Sequence, residues 1–298
     1  MRIGIVVNPV AGGNRGAQVG AEVLSLLSKT EHAITDLSAK SVSEARSNIA
    51  SALEAQAVDA LVFVGGDGIA HIGTNFCAEK NVVMAVIPAG TGNDAAAMLG
   101  MPLSNTAEAV RLVLEGLRSP KKIDAIKVSH GGKITWALGS ASAGFDALAA
   151  ARANAISWPK GPMRYYVAML LELAKFKPIK YQSVVDGVPR DFEAMLCVVS
   201  NTGIYGGGML VVPGASVTDA TLDVLLVKKM SRLKFVAIFP KVYKGTHVTD
   251  KDVEIFKASK ISIAASGMPI YSDGEYVGEA PFEAEVVPAA LTMVAPAI

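Results

Sequence analysis

The sequence predicts an α/β protein in two domains: a doubly wound parallel sheet with helices, then an antiparallel β-sandwich or barrel. Two observations support this prediction. Residues 1–124 alternate short apolar segments with segments of helical periodicity, which is typical of parallel sheets. From residue 125 onward, apolar segments flank turn dipeptides, which is typical of antiparallel strands. We therefore expect an α/β domain at 1–124 and a β-rich domain that begins at residue 125.

Each of three predicted strands in the first domain is a largely apolar segment that stops at a turn-forming residue. The strands are Ile3–Val7, Ala57–Val64 and Val82–Ile87. Runs that are apolar on both faces are typical of strands covered by helices on both sides. The three runs therefore predict the centre of the parallel sheet.

The spacing of apolar residues predicts helices after these strands. Gln18–Leu27 carries its apolar residues on one face. Asn93-Asp94 is expected to cap a short alanine-rich helix, and Asn105 with Glu108 forms a capping-box pattern that opens another. These helices complete the alternation that a doubly wound sheet requires.

Three turn dipeptides predict hairpins in the second domain. They are Gly131-Gly132, Asp186-Gly187 and Asp273-Gly274. Two helical segments, Met163–Phe176 and Leu233–Tyr243, interrupt the strands. The second domain is therefore β-rich but not purely β.

The composition excludes several classes of protein. The chain has 298 residues, of which 51% are hydrophobic and 18% charged, with a net charge of +1 and a mean hydropathy of +0.38. This balance argues against disorder and against nucleic acid as a partner, and two cysteines argue against a disulfide scaffold. The uncharged stretch 194–218 contains five glycines, so we expect no membrane-spanning helix there. We expect a cytoplasmic protein without a signal peptide.

A polar, glycine-rich loop follows each of the three predicted strands. The loops are 8–13, 65–68 and 90–94. Carboxyl ends of parallel strands meet at one sheet edge, and glycine lets backbone N–H groups approach phosphate oxygens. One such loop is usually only a turn, but three loops, with Asp67 and Asp94 as potential magnesium ligands, indicate a phosphate site.

Two common phosphate-binding motifs are absent from the sequence. No lysine follows Gly16 as a Walker A loop requires, and Ala95 stands where a dinucleotide fingerprint places its third glycine. These absences argue against a P-loop protein and a dehydrogenase.

The sequence resembles the diacylglycerol kinase family, which includes sphingosine, ceramide and soluble bacterial lipid kinases. The resemblance begins at Asn8-Pro9 and is strongest at Gly65-Gly66-Asp67-Gly68 and at residues 88–94. It continues along the chain through the motifs at 143–147, 161–166, 205–209 and 273–275.

The resemblance implies an ATP- and magnesium-dependent kinase that phosphorylates a lipid hydroxyl, with diacylglycerol as the first expectation. It implies that nucleotide and lipid meet in the cleft between the domains. It also implies that residues 289–298 return to the first domain, so that the β-rich domain spans 125–288. The nucleotide-binding positions that it assigns are Asn8, Gly65, Gly66, Asp67, Gly68, Ile69, Ala70, His71, Thr91, Asn93 and Glu275.

Further roles follow from the same resemblance. Asp273 matches the catalytic base. A structural magnesium ion falls on Ser216, Asp219 and Thr221, with the outer two residues contributing backbone carbonyls. The catalytic magnesium ion is expected near Asp67 and Asp94.

Four features depart from the family pattern, one of them a threonine expected before the second helix that is replaced near Ser38-Ala39. Ile69 replaces the usual threonine, His71-Ile72 replaces an Asn-Glu pair, and Ala220 replaces a glycine. The departures leave open a non-catalytic nucleotide or lipid sensor. A sphingoid-base kinase and an NAD kinase are further alternatives.

Several segments keep two interpretations. Asp273-Gly274 is by itself a hairpin turn, and His71 is either a helix-surface residue or a nucleotide contact. The helix at 163–176 either packs on the β domain or lines an acyl chain. The basic stretch 228–244 is either a solvated face or a surface that rests on an anionic membrane. Homodimer formation is left open.

Overall fold

The computed structural model describes residues 1–158, 162–175 and 177–298. Gly161 of the 161–166 motif and Phe176 of the predicted helix lie outside the described residues. The chain divides into two compact units: unit 1 is Met1–Ile123 with Ala289–Ile298, and unit 2 is Asp124–Pro288.

Unit 1 alternates strands and helices. Its elements are β1 (Arg2–Val7), α1 (Ala11–Leu27), β2 (Ala33–Asp36), α2 (Val42–Glu54), β3 (Ala60–Gly65), α3 (Asp67–Cys77), β4 (Val83–Pro88), α4 (Asp94–Met98) and α5 (Thr106–Gly116). These four strands pair in parallel in the order β2-β1-β3-β4, and Thr292 and Met293 then pair with β4 in the same sense. Every residue of β3 is buried, as expected for a central parallel strand. The predicted parallel α/β domain is confirmed.

Two elements of unit 1 were not predicted, and a third begins earlier than expected. β2 is largely exposed, so it has no apolar run that would identify it. α2 begins after Ser41, whose hydroxyl accepts a hydrogen bond from the Glu44 N–H. α1 begins earlier than predicted, but residues 12–14 have left-handed backbone angles, so its regular part starts after this turn.

Unit 2 is dominated by antiparallel strands. Its elements are β5 (Lys121–His130, which begins in unit 1), β6 (Lys133–Ala137), β7 (Ser140–Ser142), α6 (Phe145–Ala155), α7 (Pro162–Lys175), β8 (Ile179–Val185), β9 (Val188–Pro189), β10 (Phe192–Ser200), β11 (Ile204–Tyr205), β12 (Met209–Leu210), β13 (Leu222–Lys228), α8 (Arg232–Val242), a 3₁₀ turn at Thr246–Thr249, β14 (Val253–Ala258), β15 (Lys260–Ala264), β16 (Pro269–Ser272), β17 (Glu275–Glu279) and β18 (Phe282–Met293, which ends in unit 1).

Strand β10 organises unit 2. One edge pairs with β8 through residues 192–194 and with β7 through residues 198–200, while the other edge pairs with β13. β13 pairs with β14, β7 with β16, and β8 with β15, all antiparallel. The expected antiparallel β-sandwich domain is confirmed, and the three predicted turn dipeptides join β5–β6, β8–β9 and β16–β17.

The two faces of β10 pack into different cores. Cys197 and Val199 face a core between strands, whereas Leu196 and Val198 face a core that includes residues of α6, α7 and α8. This division follows from the two-residue side-chain period of a strand. Both cysteines of the chain are buried and free, and burial raises the pKa of both thiols. Within the described residues, no helix is long and apolar enough to cross a membrane.

Candidate functional site

The three glycine-rich loops of unit 1 contact one another at the carboxyl edge of the sheet. The Asn8 N–H donates to the Val64 carbonyl at 2.9 Å, and the Ala89 N–H donates to the Gly65 carbonyl at 2.7 Å. A Cβ on Gly90 would lie 2.4 Å from Gly66 Cα, so only glycine allows this approach of the two backbones. The parallel register therefore brings the loops together, as the sequence predicts.

Asp67 joins the second loop to the third. One carboxylate oxygen accepts the Asn93 N–H at 2.9 Å, and the other accepts the Ala95 N–H at 3.0 Å. Asp67 is also the first residue of α3, and it satisfies N–H groups at the start of α4. The Asp67 carboxylate therefore holds the first turn of α3 and the first turn of α4 in fixed positions relative to each other.

Asn93 occupies the N-cap position of α4, as the sequence predicts, but its side chain makes no capping hydrogen bond to the helix. The residue has a left-handed backbone with φ of 61°. Its side chain instead accepts the Gly90 N–H at 2.8 Å and donates to the Gly90 carbonyl at 2.9 Å. The buried amide thus closes the loop on itself, and Asp67 supplies the acceptor for the helix.

The remaining nucleotide positions of unit 1 differ in exposure. Ile69, Ala70 and His71 are buried in the first turns of α3, whereas Thr91 is exposed. The interpretation of His71 as a helix-surface residue was wrong, because only 6% of it is exposed and its ring packs beside Asn75. The Asn8 side chain accepts the Val10 N–H at 3.3 Å and shapes the first loop.

The loops fit a magnesium ion that is shared with phosphate groups rather than one held by protein alone. Both Asp67 oxygens accept backbone N–H groups, and a carboxylate oxygen carries two lone pairs, so the same group can also ligate a metal ion. The described part of the chain contains no cluster of three or more His, Cys, Asp or Glu residues that could hold a metal ion. Magnesium is commonly bound by one or two carboxylates plus substrate phosphates, and Asp67 and Asp94 match that donor set.

In unit 2, Asp273 is both a hairpin-turn residue and a fixed carboxylate. Its φ of 48° and the following Gly274 form the turn between β16 and β17. One oxygen accepts the Leu138 N–H at 2.8 Å, and the other accepts those of Gly139 and Ser140 at 2.8 and 2.9 Å. Three backbone donors therefore hold the carboxylate at the start of β7. Glu275, two residues later, is exposed on β17.

The loop expected to bind a structural magnesium ion already contacts a cation of the chain. The Lys257 ammonium lies 2.7 Å from Asp219 and 2.9 Å from the Thr221 hydroxyl. The other Asp219 oxygen accepts the N–H and the hydroxyl of Thr221, and the Ser216 hydroxyl lies 3.2 Å from that of Thr218.

The pKa of Asp219 is lowered even though its partial burial acts in the opposite direction. Hydrogen bonds from Lys257 and Thr221 outweigh burial, and the pKa of Lys257 is raised chiefly by its bond to Asp219. The Lys257 ammonium therefore provides a cation at Asp219 and Thr221 in this structure, and the structural magnesium ion on Ser216, Asp219 and Thr221 stays a prediction that would have to compete with this ion pair. Ala220 nevertheless keeps the left-handed conformation that glycine favours, with φ of 57° and its N–H on Asp124 at 2.8 Å.

Unit 2 also contains an apolar cavity next to α6 and α8. The cavity is partly open to solvent. Its apolar walls include Phe145, Met169, Leu196, Phe235, Ile238 and Phe239. From α7, Met169 reaches the cavity while Leu170 and Leu171 are exposed, so this helix both packs on the domain and contributes to the cavity wall.

Two buried polar residues at the cavity, Asp146 and His247, were not identified as site residues from the sequence. Burial raises the pKa of Asp146 to about 6, and burial lowers the pKa of His247. The available signal for Asp146 was a lone carboxylate inside an apolar segment that also belongs to the 143–147 motif. His247 carried no such signal.

The basic stretch 228–244 is partly neutralised. Lys228 pairs with Glu254 at 2.8 Å, and Lys234 pairs with Asp250 and Asp252 at 2.7 and 2.6 Å. On α8, Phe235 and Ile238 are buried, whereas 85% of Leu233 is exposed. These contacts are typical of a solvated helix face that carries some exposed apolar surface.

Comparisons with known proteins cover nearly the whole chain. Residues 2–128 match the diacylglycerol kinase catalytic domain, and residues 139–295 match the YegS C-terminal NAD kinase beta sandwich-like domain. The chain is 32% identical to a diacylglycerol kinase of Mycobacterium tuberculosis over 99% of this chain and 95% of that protein. It is 27% identical to a diacylglycerol kinase of Bacillus subtilis over 95% of this chain and 92% of that protein.

The solved structures show a similar fold. A structure described as a putative diacylglycerol kinase from Bacillus anthracis superposes with a TM-score of 0.77 at 24% identity, covering 98% of this chain and 96% of that one. At this identity the likeness concerns the fold alone.

Proposed function

Because the chain belongs to the diacylglycerol kinase catalytic-domain family, and is therefore an ATP-dependent lipid kinase, we propose that its acceptor is diacylglycerol and its product phosphatidic acid. The names of the two relatives above support this acceptor. The observation that carries the proposal is the apolar cavity of unit 2, because an acyl chain needs a wall of this kind.

We assign ATP to the loops of unit 1. Gly65–Gly68 stand at the start of α3, where backbone N–H groups and the helix dipole favour phosphate oxygens. The buried side chain of Ile69 leaves only its backbone for a nucleotide contact, and exposed Thr91 offers a hydroxyl. Magnesium held by Asp67 and Asp94 would neutralise phosphate charge when bound. We also assign a nucleotide contact to Glu275, which stays a prediction from the family resemblance.

We assign the role of general base to Asp273. Transfer forms a bond between the lipid oxygen and the γ-phosphorus as ADP leaves, and the hydroxyl proton must go to an acceptor. The three backbone bonds to Asp273 hold its carboxylate in one orientation, which is what a positioned base requires. General-base catalysis of this kind contributes about 10²–10⁴-fold to the rate.

The experiment is a transfer assay with γ-labelled ATP and magnesium, using mixed micelles that contain diacylglycerol, monoacylglycerol, ceramide or a sphingoid base. Labelled phosphatidic acid is the expected main product. If only the sphingoid base is phosphorylated, the protein is a sphingoid-base kinase and not a diacylglycerol kinase. If the protein binds nucleotide but forms no labelled lipid, the result favours a non-catalytic sensor.

A second Asp-Gly hairpin supplies the matched control for Asp273. Asp186 has the same φ of 48°, and its carboxylate accepts the N–H groups of Ser259 and Lys260 at 3.0 and 2.8 Å. Asp273→Asn should lose transfer while keeping ATP affinity, whereas Asp186→Asn should keep both. If Asp273→Asn keeps the same transfer activity as Asp186→Asn and the wild type, Asp273 is not the general base.

We further propose that the protein works in the cytoplasm and reaches its lipid at the membrane surface through α8. Exposed Leu233, Val236 and Tyr243 support this contact, while the ion pairs of Lys228 and Lys234 limit its electrostatic part. Flotation with vesicles that contain diacylglycerol should recover the wild type and less of Leu233→Ser. Equal recovery would argue against α8 as the contact.

A further inference from the structure

Asn201, the residue that follows β10, is fully buried in unit 2 and hydrogen-bonds to backbone beside Asp273. Its Nδ2 donates to the Leu138 carbonyl at 3.1 Å and to the Asp124 carbonyl at 3.0 Å. Because a carbonyl oxygen can only accept, both contacts require the NH₂ group of the amide at this position. The side chain therefore joins two segments of backbone that are distant in sequence.

Two consecutive peptide groups connect Asn201 to the Asp273 carboxylate. The first joins Leu138 to Gly139. Its carbonyl oxygen accepts the Asn201 side chain, and its N–H donates to Asp273 Oδ1 at 2.8 Å. The second joins Gly139 to Ser140. Its carbonyl oxygen accepts the Asn201 backbone N–H at 2.8 Å, and its N–H donates to the same Asp273 oxygen at 2.9 Å.

This arrangement lets Asn201 act on Asp273 without touching it. A peptide group is planar, so a bond that fixes the direction of its carbonyl also fixes the direction of its N–H. A hydrogen bond to the carbonyl also polarises the peptide and makes its N–H a stronger donor. At Gly139 a Cβ would lie 3.0 Å from Asp273 Oδ1, so the residue between the two peptides has no side chain to orient them.

The burial of Asn201 is unfavourable in one respect. Its Oδ1 atom is buried and has no hydrogen-bond partner. An unpaired buried acceptor costs free energy that an apolar residue of similar size would avoid. The NH₂ group is therefore the part of the side chain that this position uses.

We propose that Asn201 is a positioning residue for phosphoryl transfer, because it orients the Asp273 carboxylate through the two peptide groups at 138–140. The inference rests on the proposed function, in which Asp273 is the general base. Asn201 contributes to the rate of transfer and not to the binding of ATP or lipid.

The first test measures turnover with γ-labelled ATP and dioctanoylglycerol in mixed micelles. Asn201→Leu removes both side-chain donors at similar size, so kcat should fall about tenfold, as expected for one hydrogen bond to a positioned group. Both KM values should stay within about twofold. In the Asp273→Asn background the same change should lower kcat by less than about twofold, because the carboxylate through which it acts is gone.

Two further variants keep this test decisive. Thr202→Val is the matched control, because it removes a buried hydroxyl of the next residue that donates to the Ile204 carbonyl at 3.2 Å. It should keep kcat within about twofold. Asn201→Ser has a shorter donor and leaves room for a water molecule, so it should show the pattern of Asn201→Leu with smaller changes. It replaces Asn201→Leu if that protein does not fold.

The second test is the amide NMR spectrum without substrates, which reports the geometry independently of catalysis. In Asn201→Leu the Gly139 N–H signal should move upfield, because its hydrogen bond to Asp273 weakens. The Ser140 signal should move less, because its peptide keeps the bond from the backbone N–H of residue 201. Thr202→Val should leave both signals in place.

An unchanged Gly139 signal, or full turnover by folded Asn201→Leu, would overturn the inference. An equal loss of kcat in the wild-type and Asp273→Asn backgrounds would also overturn it, since that result indicates a merely structural role. Loss of turnover in Asp273→Asn but not in Asn201→Leu leaves the proposed function standing without the inference. If the wild type transfers no phosphate, the proposed function fails, and the Gly139 signal alone decides whether Asn201 orients this carboxylate.

Discussion

Replacing Asp67 by asparagine tests whether this carboxylate joins the two phosphate loops or only holds a metal ion. Its two oxygens accept the Asn93 and Ala95 N–H groups at 2.9 and 3.0 Å. Asparagine keeps one acceptor oxygen and turns an NH₂ group toward the second N–H. One charge-assisted hydrogen bond is lost and a backbone donor is left unpaired, at a cost of about 2 kcal/mol.

Amide hydrogen exchange is the assay, because it reports these two N–H groups directly and does not require two-state unfolding of a two-unit chain. The cost of about 2 kcal/mol predicts that exchange at Asn93 and Ala95 accelerates about 30-fold in Asp67→Asn. The measurement is made without nucleotide or divalent ions.

Asp94→Asn is the matched control, since it removes the same charge from the neighbouring loop. It should change exchange at Asn93 and Ala95 by less than about threefold. If Asp67→Asn also leaves exchange unchanged, and differs from the wild type only once magnesium and ATP are added, then Asp67 is a metal ligand without a role in holding the loops.

Two further predictions concern unit 2. Lys257→Met removes a half-exposed ion pair, so it should cost at most about 1 kcal/mol, and it should create a rise of the melting temperature with magnesium that the wild type lacks. A magnesium-dependent rise in the wild type would contradict the assignment of Lys257 as the cation of that loop. The pKa of Asp146 is raised by burial from 3.8 to about 6, so the folded state holds this proton more tightly and stability falls as the pH rises from about 4 to about 6. The loss amounts to at most about 3 kcal/mol and should be absent in Asp146→Asn, so identical pH profiles of the two proteins in urea unfolding would refute it.

The central elements of the fold were predictable from the sequence because burial leaves a strong pattern. β3 is buried along its whole length and is a continuous apolar run, whereas the exposed strand β2 leaves no comparable signal. The left-handed turn at residues 12–14 was not predicted, since glycine and asparagine permit such angles but also occur in ordinary loops.

The part of the site that lies at the carboxyl edge of the parallel sheet was predictable, because parallel strands end at the same edge. Side-chain partners that depend on strand register or on contacts between loops were not predictable. Asn93 precedes a helix and is a common capping residue, yet Asp67 caps that helix from another loop. Lys257 reaches Asp219 because it lies opposite Asp223 in the antiparallel β13–β14 pair. His247 and Asp146 come together at a cavity through packing between distant segments, which no local pattern records.

The measurement that tests the proposed reaction most directly is transfer of labelled γ-phosphate from ATP to diacylglycerol by the purified wild type and Asp273→Asn. We expect labelled phosphatidic acid from the wild type and a loss of about 10²-fold or more in the variant, with ATP affinity retained. No labelled lipid from folded wild-type protein, with diacylglycerol or any other lipid acceptor, would contradict the proposal.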